Sequence, residues 1–196
     1  MKTVVRAAAR SLKLQVTVLG SSVSALWAGF AVQVASANAV LAWGIQPRTK
    51  QGLWGILFAP FLHVSTEHLL ANTVPLLVLG WLIMLRDAKH FIPVTLLAML
   101  GSGLCAWTFG ASGSVHIGAS GVVFGYLGFL IFAGWFARSL GAIALSVLVT
   151  ALWGGLVFGV LPGPPGISWQ AHLGGFVGGA LAAKWLAPRA AGIRPR

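Results

Sequence analysis

Long runs without a charged side chain dominate this sequence and limit what it can fold into. Four such runs lie between ionisable residues, with 34 residues between Lys13 and Arg48, 18 between Glu67 and Arg86, 47 between His90 and Arg138, and 45 between Arg138 and Lys184. A helix needs about 20 apolar residues to cross the hydrocarbon core of a bilayer. The first two runs therefore fit one crossing each, and the last two fit two crossings and a turn each.

These runs predict an all-α membrane protein, a bundle of six transmembrane helices. The predicted helices span residues 14–40, 67–86, 91–110, 120–137, 140–161 and 169–187. They form one domain over 14–187, preceded by a basic segment at 1–13 and followed by a basic tail at 188–196. The composition agrees, because 58% of the residues are hydrophobic and only 8% are charged, whereas about a quarter are charged in ordinary soluble domains.

The basic residues predict how the bundle is oriented. With six crossings, all of the 13 lysines and arginines except Arg48 and Lys50 fall on one side. Because cytoplasmic loops carry an excess of basic residues, we expect both termini in the cytoplasm. The net charge of +11 does not indicate nucleic-acid binding, since these residues are spread over helix ends rather than gathered in one patch. The partner is the lipid bilayer, and the Ala- and Gly-rich usage favours a bacterial plasma membrane.

Polar side chains lie near the predicted outer ends of three helices. His68 and Asn72 belong to the start of the second helix, Ser120 to that of the fourth and His172 to that of the sixth. At 1.5 Å per residue, their heights above the inner basic residues agree within about two helical turns. Polar groups at membrane depth usually mark function, although for any one of them a hydrogen bond between helices is the alternative.

A serine and a histidine are the smallest set that can form a nucleophile, because the imidazole takes the proton of the hydroxyl. The chain contains two acidic residues, Glu67 and Asp87. Asp87 lies at the predicted cytoplasmic end of its helix. Glu67 is next to His68, and neighbouring residues of a helix point in different directions. We therefore predict a dyad of Ser120 and His172 that has no carboxylate.

The second helix offers hydrogen-bond donors for an oxyanion. His68 and Asn72 share one face at i, i+4, and the first N–H groups of the helix that Ser120 begins have no partner within the helix. Such donors stabilise the negative charge of an acyl-transfer intermediate. A three-histidine metal site of His63, His68 and His172 is the alternative, but no carboxylate accompanies it. We expect no metal and no cofactor.

Glycines follow both members of the predicted dyad. Two G-x-x-x-G pairs are present, Gly121 with Gly125 and Gly175 with Gly179. Small residues let helices approach closely in lipid, as a hydrogen bond between Ser120 and His172 requires. Homodimerisation through either face is the alternative. Gly118 allows a sharp turn just before Ser120.

Three segments carry a resemblance to a known family, namely HVSTEHLLAN at 63–72, GASG at 118–121 and AHLGGFVGG at 171–179. In motif order, number of helices and topology, nearly the whole chain resembles the rhomboid intramembrane serine proteases. The resemblance implies that Ser120 is the nucleophile and His172 the general base. It also implies that His68, Asn72 and the Ser120 amide stabilise the oxyanion.

The resemblance implies further roles around this pair. Phe124 stands where many members have an aromatic side chain that stacks on the catalytic imidazole, here without a tyrosine hydroxyl. His63 looks like the family histidine that holds the first loop, which is a structural role. The segment 44–63 resembles the loop that lies partly in the outer leaflet. His90 and His116 are interpreted as loop residues.

We therefore predict an intramembrane serine endopeptidase that cuts transmembrane protein substrates near the non-cytoplasmic membrane surface. One alternative is a catalytically inactive rhomboid-like protein that binds transmembrane clients. Another is a small transporter with a histidine proton path. The sequence leaves the substrate and the oligomeric state open.

Overall fold

The computed structural model describes residues 2–164 and 166–187, so the predicted tail at 188–196 lies outside the described residues. Within these two ranges seven α-helices follow one another, α1 (Lys2–Ala35), α2 (Lys50–Phe58), α3 (Thr66–Arg86), α4 (Phe91–Phe109), α5 (Ser120–Ala137), α6 (Leu140–Trp153) and α7 (Trp169–Trp185). Short 3₁₀ segments cover Ala39–Trp43, Ala59–Phe61, Ala88–His90 and Gly154–Val160. The extended pairing found in these ranges is a single bridge between Ile45 and His116.

Five helices of the described part of the chain are long and apolar enough to cross a membrane, over Val4–Ala35, Thr66–Arg86, Ala88–Phe109, Ser120–Ala137 and Leu140–Val160. The prediction of an all-helical membrane protein is thereby confirmed. The predicted sixth crossing corresponds to α7, which has 17 residues and is therefore about 26 Å long. The count of six and the cytoplasmic termini stay predictions.

The first helix differs most from its predicted range of 14–40. It begins at Lys2, because no glycine or proline interrupts the sequence before Gly20 and the basic residues are good helix formers. It ends at Ala35 because Ala37 and Asn38 adopt left-handed backbone angles, with φ of 49° and 66°, which terminate a helix. From Lys2 onward, the predicted basic segment is thus part of α1.

The segment 44–63 contains a helix of its own, α2, which the sequence analysis treated as loop. Thr49 is its N-cap, and its side chain accepts a hydrogen bond from the Gly52 amide. The Arg48 guanidinium donates to three groups at the end of α4, namely the carbonyls of Thr108 (2.9 Å) and Gly110 (2.8 Å) and the hydroxyl of Ser112 (2.6 Å). The chain before α2 is therefore fastened to the end of α4.

The centre of the bundle is α7, which packs against α5 on one side and α4 on the other. A Cβ atom at Gly175 would collide with the Gly121 carbonyl, and one at Gly179 with the Gly125 carbonyl. The preceding glycines of α7 meet α4 in the same way, Gly174 at Gly101 and Gly178 at Leu97. Close approach on two sides requires both sets of glycines, of which only the first was singled out from the sequence.

Candidate active site

Ser120 and His172 are in hydrogen-bond contact. Ser120 Oγ lies 2.8 Å from His172 Nε2, although 51 residues separate them in the chain. Ser120 is the first residue of α5, and His172 lies in the first turn of α7. Because the two helices run side by side in the same direction and touch through glycines, their first turns meet at one end of the bundle.

The other nitrogen of His172 is held by the backbone. His172 Nδ1 lies 3.0 Å from the carbonyl oxygen of Gly159. A carbonyl can only accept, so Nδ1 carries the hydrogen and Nε2 presents its lone pair to the Ser120 hydroxyl. The orienting group that a carboxylate supplies in many triads is here a main-chain carbonyl. Residue type alone gave no signal for Gly159.

Phe124 lies one turn below Ser120 on α5 and covers the imidazole of His172. The two ring centroids are 4.0 Å apart, and the planes are 6° from parallel. Both side chains are buried, with 6% and 9% exposed. The stacked ring and the Gly159 carbonyl leave His172 little freedom to rotate.

A left-handed turn at Gly118 precedes the serine. Its φ of 113° is unfavourable for any residue with a side chain, and a Cβ atom there would lie 2.8 Å from His68 Cε1. The Gly118 amide donates to the Ala59 carbonyl at 2.8 Å. This turn therefore fixes the direction in which α5 starts.

His63 lies beneath the same turn and is fully buried. Its Nε2 accepts a weak hydrogen bond from the amide of Ala119 at 3.4 Å. Burial lowers the pKa of His63 to about 4, and the nearby His68 ring adds to the effect. His63 is therefore neutral at pH 7 and serves as an acceptor.

Gln33 of α1 clamps the backbone of His63. Gln33 Nε2 donates to the His63 carbonyl at 2.6 Å, and Gln33 Oε1 accepts from the His63 amide at 2.9 Å. Gln33 was not among the site residues predicted from the sequence. Its signal was a polar side chain inside an apolar helix, and its partner lies 30 residues away.

His68 and Asn72 of α3 border the cleft in which Ser120 and His172 lie. Asn72 Nδ2 donates to the carbonyl of His68 at 2.8 Å, which uses one of the two hydrogens of its amide. His68 Nδ1 is buried and has no hydrogen-bond partner among the described residues. Both side chains are thus beside the serine, and the Ser120 amide belongs to the first turn, where N–H groups lack partners within the helix.

The cleft has a volume of about 570 Å³. Its apolar lining comes from α3 and the residues just before it, from the loop before α5, from α5 and from the 3₁₀ segment after α6. It includes Val64, Ala71, Val115, Ile117, Val123 and Leu156. Such a volume lies within the range of small-molecule and peptide sites. Ser120 is thus one of the residues that line an open cleft.

The remaining histidines were interpreted as loop residues. His90 ends the 3₁₀ segment Ala88–His90 and packs edge-on against Phe129 at 5.8 Å. His116 does lie in the loop before α5, but hydrogen bonds hold both of its ring nitrogens. Within residues 2–164 and 166–187, no three side chains of His, Cys, Asp or Glu are arranged to hold a metal ion.

Comparison with known families agrees with the motifs. The sequence model described as the rhomboid domain matches residues 50–189. The chain belongs to the rhomboid family. Every predicted site residue of this rhomboid lies inside the matched range, whereas Gln33 and the whole of α1 precede it.

Several curated proteins are similar to this rhomboid. It is 43% identical to an uncharacterized protein of Mycobacterium tuberculosis over 148 residues. This aligned region covers 71% of this chain and 62% of the relative. It is 31% identical to RHOMBOID-like protein 1 of Arabidopsis thaliana, over 67% of this chain and 34% of the relative. It is 30% identical to Rhomboid protease GluP of Bacillus subtilis, over 68% of this chain and 26% of the relative. The aligned part is thus less than two thirds of each of these relatives.

Proposed function

We propose that this rhomboid is an intramembrane serine endopeptidase with a Ser120–His172 dyad. The observation that supports this most is the 2.8 Å contact between Ser120 Oγ and His172 Nε2, with His172 Nδ1 bound to a carbonyl so that Nε2 is the basic nitrogen. The similarity to a relative named as a rhomboid protease supports the same reaction.

In the proposed reaction, His172 Nε2 takes the proton of the Ser120 hydroxyl while Oγ attacks the carbonyl carbon of the scissile peptide bond. The Oγ–C bond forms, and the carbonyl electrons move to the oxygen. His172 then gives its proton to the leaving amine, the C–N bond breaks, and an acyl-enzyme remains. Water attacks this ester with His172 as base, which releases the acid and restores the Ser120 hydroxyl.

The charges that develop have partners in the site. The imidazolium of His172 is stabilised by the Gly159 carbonyl and by the face of the Phe124 ring. The oxyanion is stabilised by the Ser120 amide at the positive end of α5, together with the side chains of His68 and Asn72. One amide hydrogen of Asn72 is donated to the carbonyl of His68 in its own helix. We therefore assign the second hydrogen as the donor to the oxyanion.

We further propose that the substrates are transmembrane proteins that are cut near the non-cytoplasmic surface of the plasma membrane. The cleft lies at the ends of α3, α5 and α7 that face away from most basic residues, which is the outer side if the bundle has six crossings and cytoplasmic termini. Bacterial relatives favour a bacterial membrane. The alternative is an inactive rhomboid-like protein that binds transmembrane clients in the same cleft.

Cleavage in proteoliposomes tests the proposal. The wild type, Ser120→Ala and His172→Ala are reconstituted with a labelled single-span substrate, and Ser22→Ala on α1 serves as a serine variant away from the cleft. We expect the first two variants to lose cleavage while they keep the wild-type thermal unfolding profile. Cleavage by folded Ser120→Ala at the wild-type rate would exclude the dyad, and binding without cleavage by the wild type would support the client-binding alternative.

A further inference from the structure

The imidazole of His116 is hydrogen-bonded at both nitrogens. Nδ1 lies 2.7 Å from Ser168 Oγ, and Nε2 lies 3.0 Å from Ser114 Oγ. Its backbone is fixed as well, because the His116 amide and carbonyl each pair with Ile45 at 2.9 Å. His116 is thus held by two ring contacts and two backbone contacts, and nothing in the proposed reaction uses its ring.

The hydrogens of this cluster can be assigned from the donor and acceptor types. Ser114 Oγ lies 2.6 Å from the Ala111 carbonyl, which can only accept, so the Ser114 hydrogen points there. Ser114 Oγ then accepts from His116, and Nε2 of His116 carries the hydrogen. Burial lowers the pKa of His116, which favours this neutral ring. Nδ1 is therefore an acceptor.

The acceptor at Nδ1 determines how Ser168 is oriented. Only the Ser168 hydroxyl can donate to it, which leaves the lone pairs of Ser168 Oγ for the Ala171 amide at 3.3 Å. Ser168 is the N-cap of α7, and its carbonyl accepts from the His172 amide at 3.1 Å. One serine thus joins His116 to the first turn of α7, the turn that carries His172.

We propose that His116 is a positioning residue. His116 orients the hydroxyl of Ser168, which caps α7. The cap fixes where α7 begins, and the start of α7 sets the distance between His172 and Ser120. The backbone of the same residue pairs with Ile45, and His116 itself lies in the loop that leads into Ser120, so the two halves of the dyad share one anchor. The inference rests on the proposed function, because it assigns His116 an effect on the reactivity of that dyad.

The rate at which a fluorophosphonate labels Ser120 measures this reactivity directly. His116→Leu removes both ring contacts. His116→Asn keeps a polar atom near the position of Nδ1, since both are bonded to Cγ, and retains the contact with Ser168. Ser168→Ala removes the cap itself. Ser139→Ala is the matched control, because Ser139 caps α6 through an equivalent contact with the Ala142 amide at the other end of the bundle.

We expect His116→Leu and Ser168→Ala to label about fivefold more slowly, the factor that corresponds to a typical N-cap. His116→Asn should stay within about twofold of the wild type, and so should Ser139→Ala. The double variant His116→Leu/Ser168→Ala should be labelled no more slowly than the slower single variant, because both substitutions remove the same interaction between His116 and Ser168.

Labelling of folded His116→Leu at the wild-type rate would overturn the inference, and so would a double variant slowed by the product of the two single effects. If His116→Leu does not fold, a His116→Asn variant as slow as Ser168→Ala overturns it instead. These failures differ from a failure of the proposed function, in which Ser120 of the wild type takes up no label.

Discussion

The imidazole of His172 and the ring of Phe124 lie face to face, with centroids 4.0 Å apart and planes 6° from parallel. The contact joins α7 to α5 one turn below Ser120, so a single helix carries both the hydroxyl and the surface on which the proposed base rests. A histidine held on one face and at Nδ1 keeps Nε2 directed at the serine without a carboxylate. The stacked ring and the backbone carbonyl thus stand in for the orienting carboxylate of a triad.

Removal of the stacked ring should slow cleavage. Aromatic pairs of this kind contribute about 0.5–1.5 kcal/mol beyond their buried area. We expect Phe124→Leu to lower kcat/KM by about two- to tenfold in a proteoliposome cleavage assay. Phe132→Leu, two turns further along α5 and partly exposed, is the control and should leave kcat/KM unchanged. An equal loss in both variants would mean that general packing in α5, rather than the stack, is responsible.

A methyl group at Gly159 should disturb the same arrangement from the other side. A Cβ atom there would lie 2.7 Å from Phe124 Cζ and 3.5 Å from His172 Nδ1. Either the Phe124 ring or the Gly159 backbone must then shift relative to His172, and we expect Gly159→Ala to lower kcat while the melting temperature stays close to that of the wild type. Gly155→Ala lies in the same 3₁₀ segment with no atom within 4 Å of the added methyl and should behave as the wild type. Full activity of Gly159→Ala would show that the carbonyl contact is dispensable.

The glycine contact between α7 and α5 should control stability. A methyl group at Gly179 would collide with the carbonyl of Gly125, and overpacking of this kind costs about 1–3 kcal/mol. We expect Gly179→Ala to lower the free energy of unfolding in mixed micelles by that amount. Gly20→Ala, with open space around it on α1, should raise it by up to about 1 kcal/mol. Equal stability of the two variants would contradict close packing at Gly179.

The buried His63 should make the protein less stable in acid. Its pKa is about 4 in the folded protein and 6.5 when exposed, so between these values the unfolded chain binds the proton that the folded chain does not. The free energy of unfolding should therefore be fully retained above pH 6.5 and fall towards pH 4, by at most about 1.4 kcal/mol per pH unit from this group. Unfolding of the wild type and of His63→Gln between pH 7 and pH 4 measures the difference. An identical pH dependence in both would contradict a neutral buried ring.

Much of the fold could be predicted because membrane helices are specified locally. A run of about 20 apolar residues identifies a helix without any knowledge of its neighbours, and the ranges of the second to sixth predicted helices agree with α3 to α7 within a few residues at most ends. The predicted ends of the first helix were both wrong, and the reasons are local too. Basic residues were taken as a helix boundary although they favour helix. The left-handed turn at Ala37 and Asn38 was not recognised, although asparagine adopts such angles more readily than most residues.

Some residues of the candidate site could likewise be predicted from local sequence, and others could not. Ser120, His68, Asn72 and His172 could be selected because a polar group in an apolar helix is unusual. The partners that hold these side chains were not selected from the sequence. Every residue has a backbone carbonyl, so nothing in the sequence distinguishes that of Gly159. The contacts of Gln33 and His116 join positions that are 30 and 52 residues apart, which periodicity and spacing do not reveal.

The most direct test of the dyad is mass spectrometry of the protein after reaction with a fluorophosphonate. We expect one modified residue, Ser120, in the folded wild type, and loss of this modification in His172→Ala with the fold retained. Modification of His172→Ala at the wild-type rate, or of a different serine in the wild type, would contradict it.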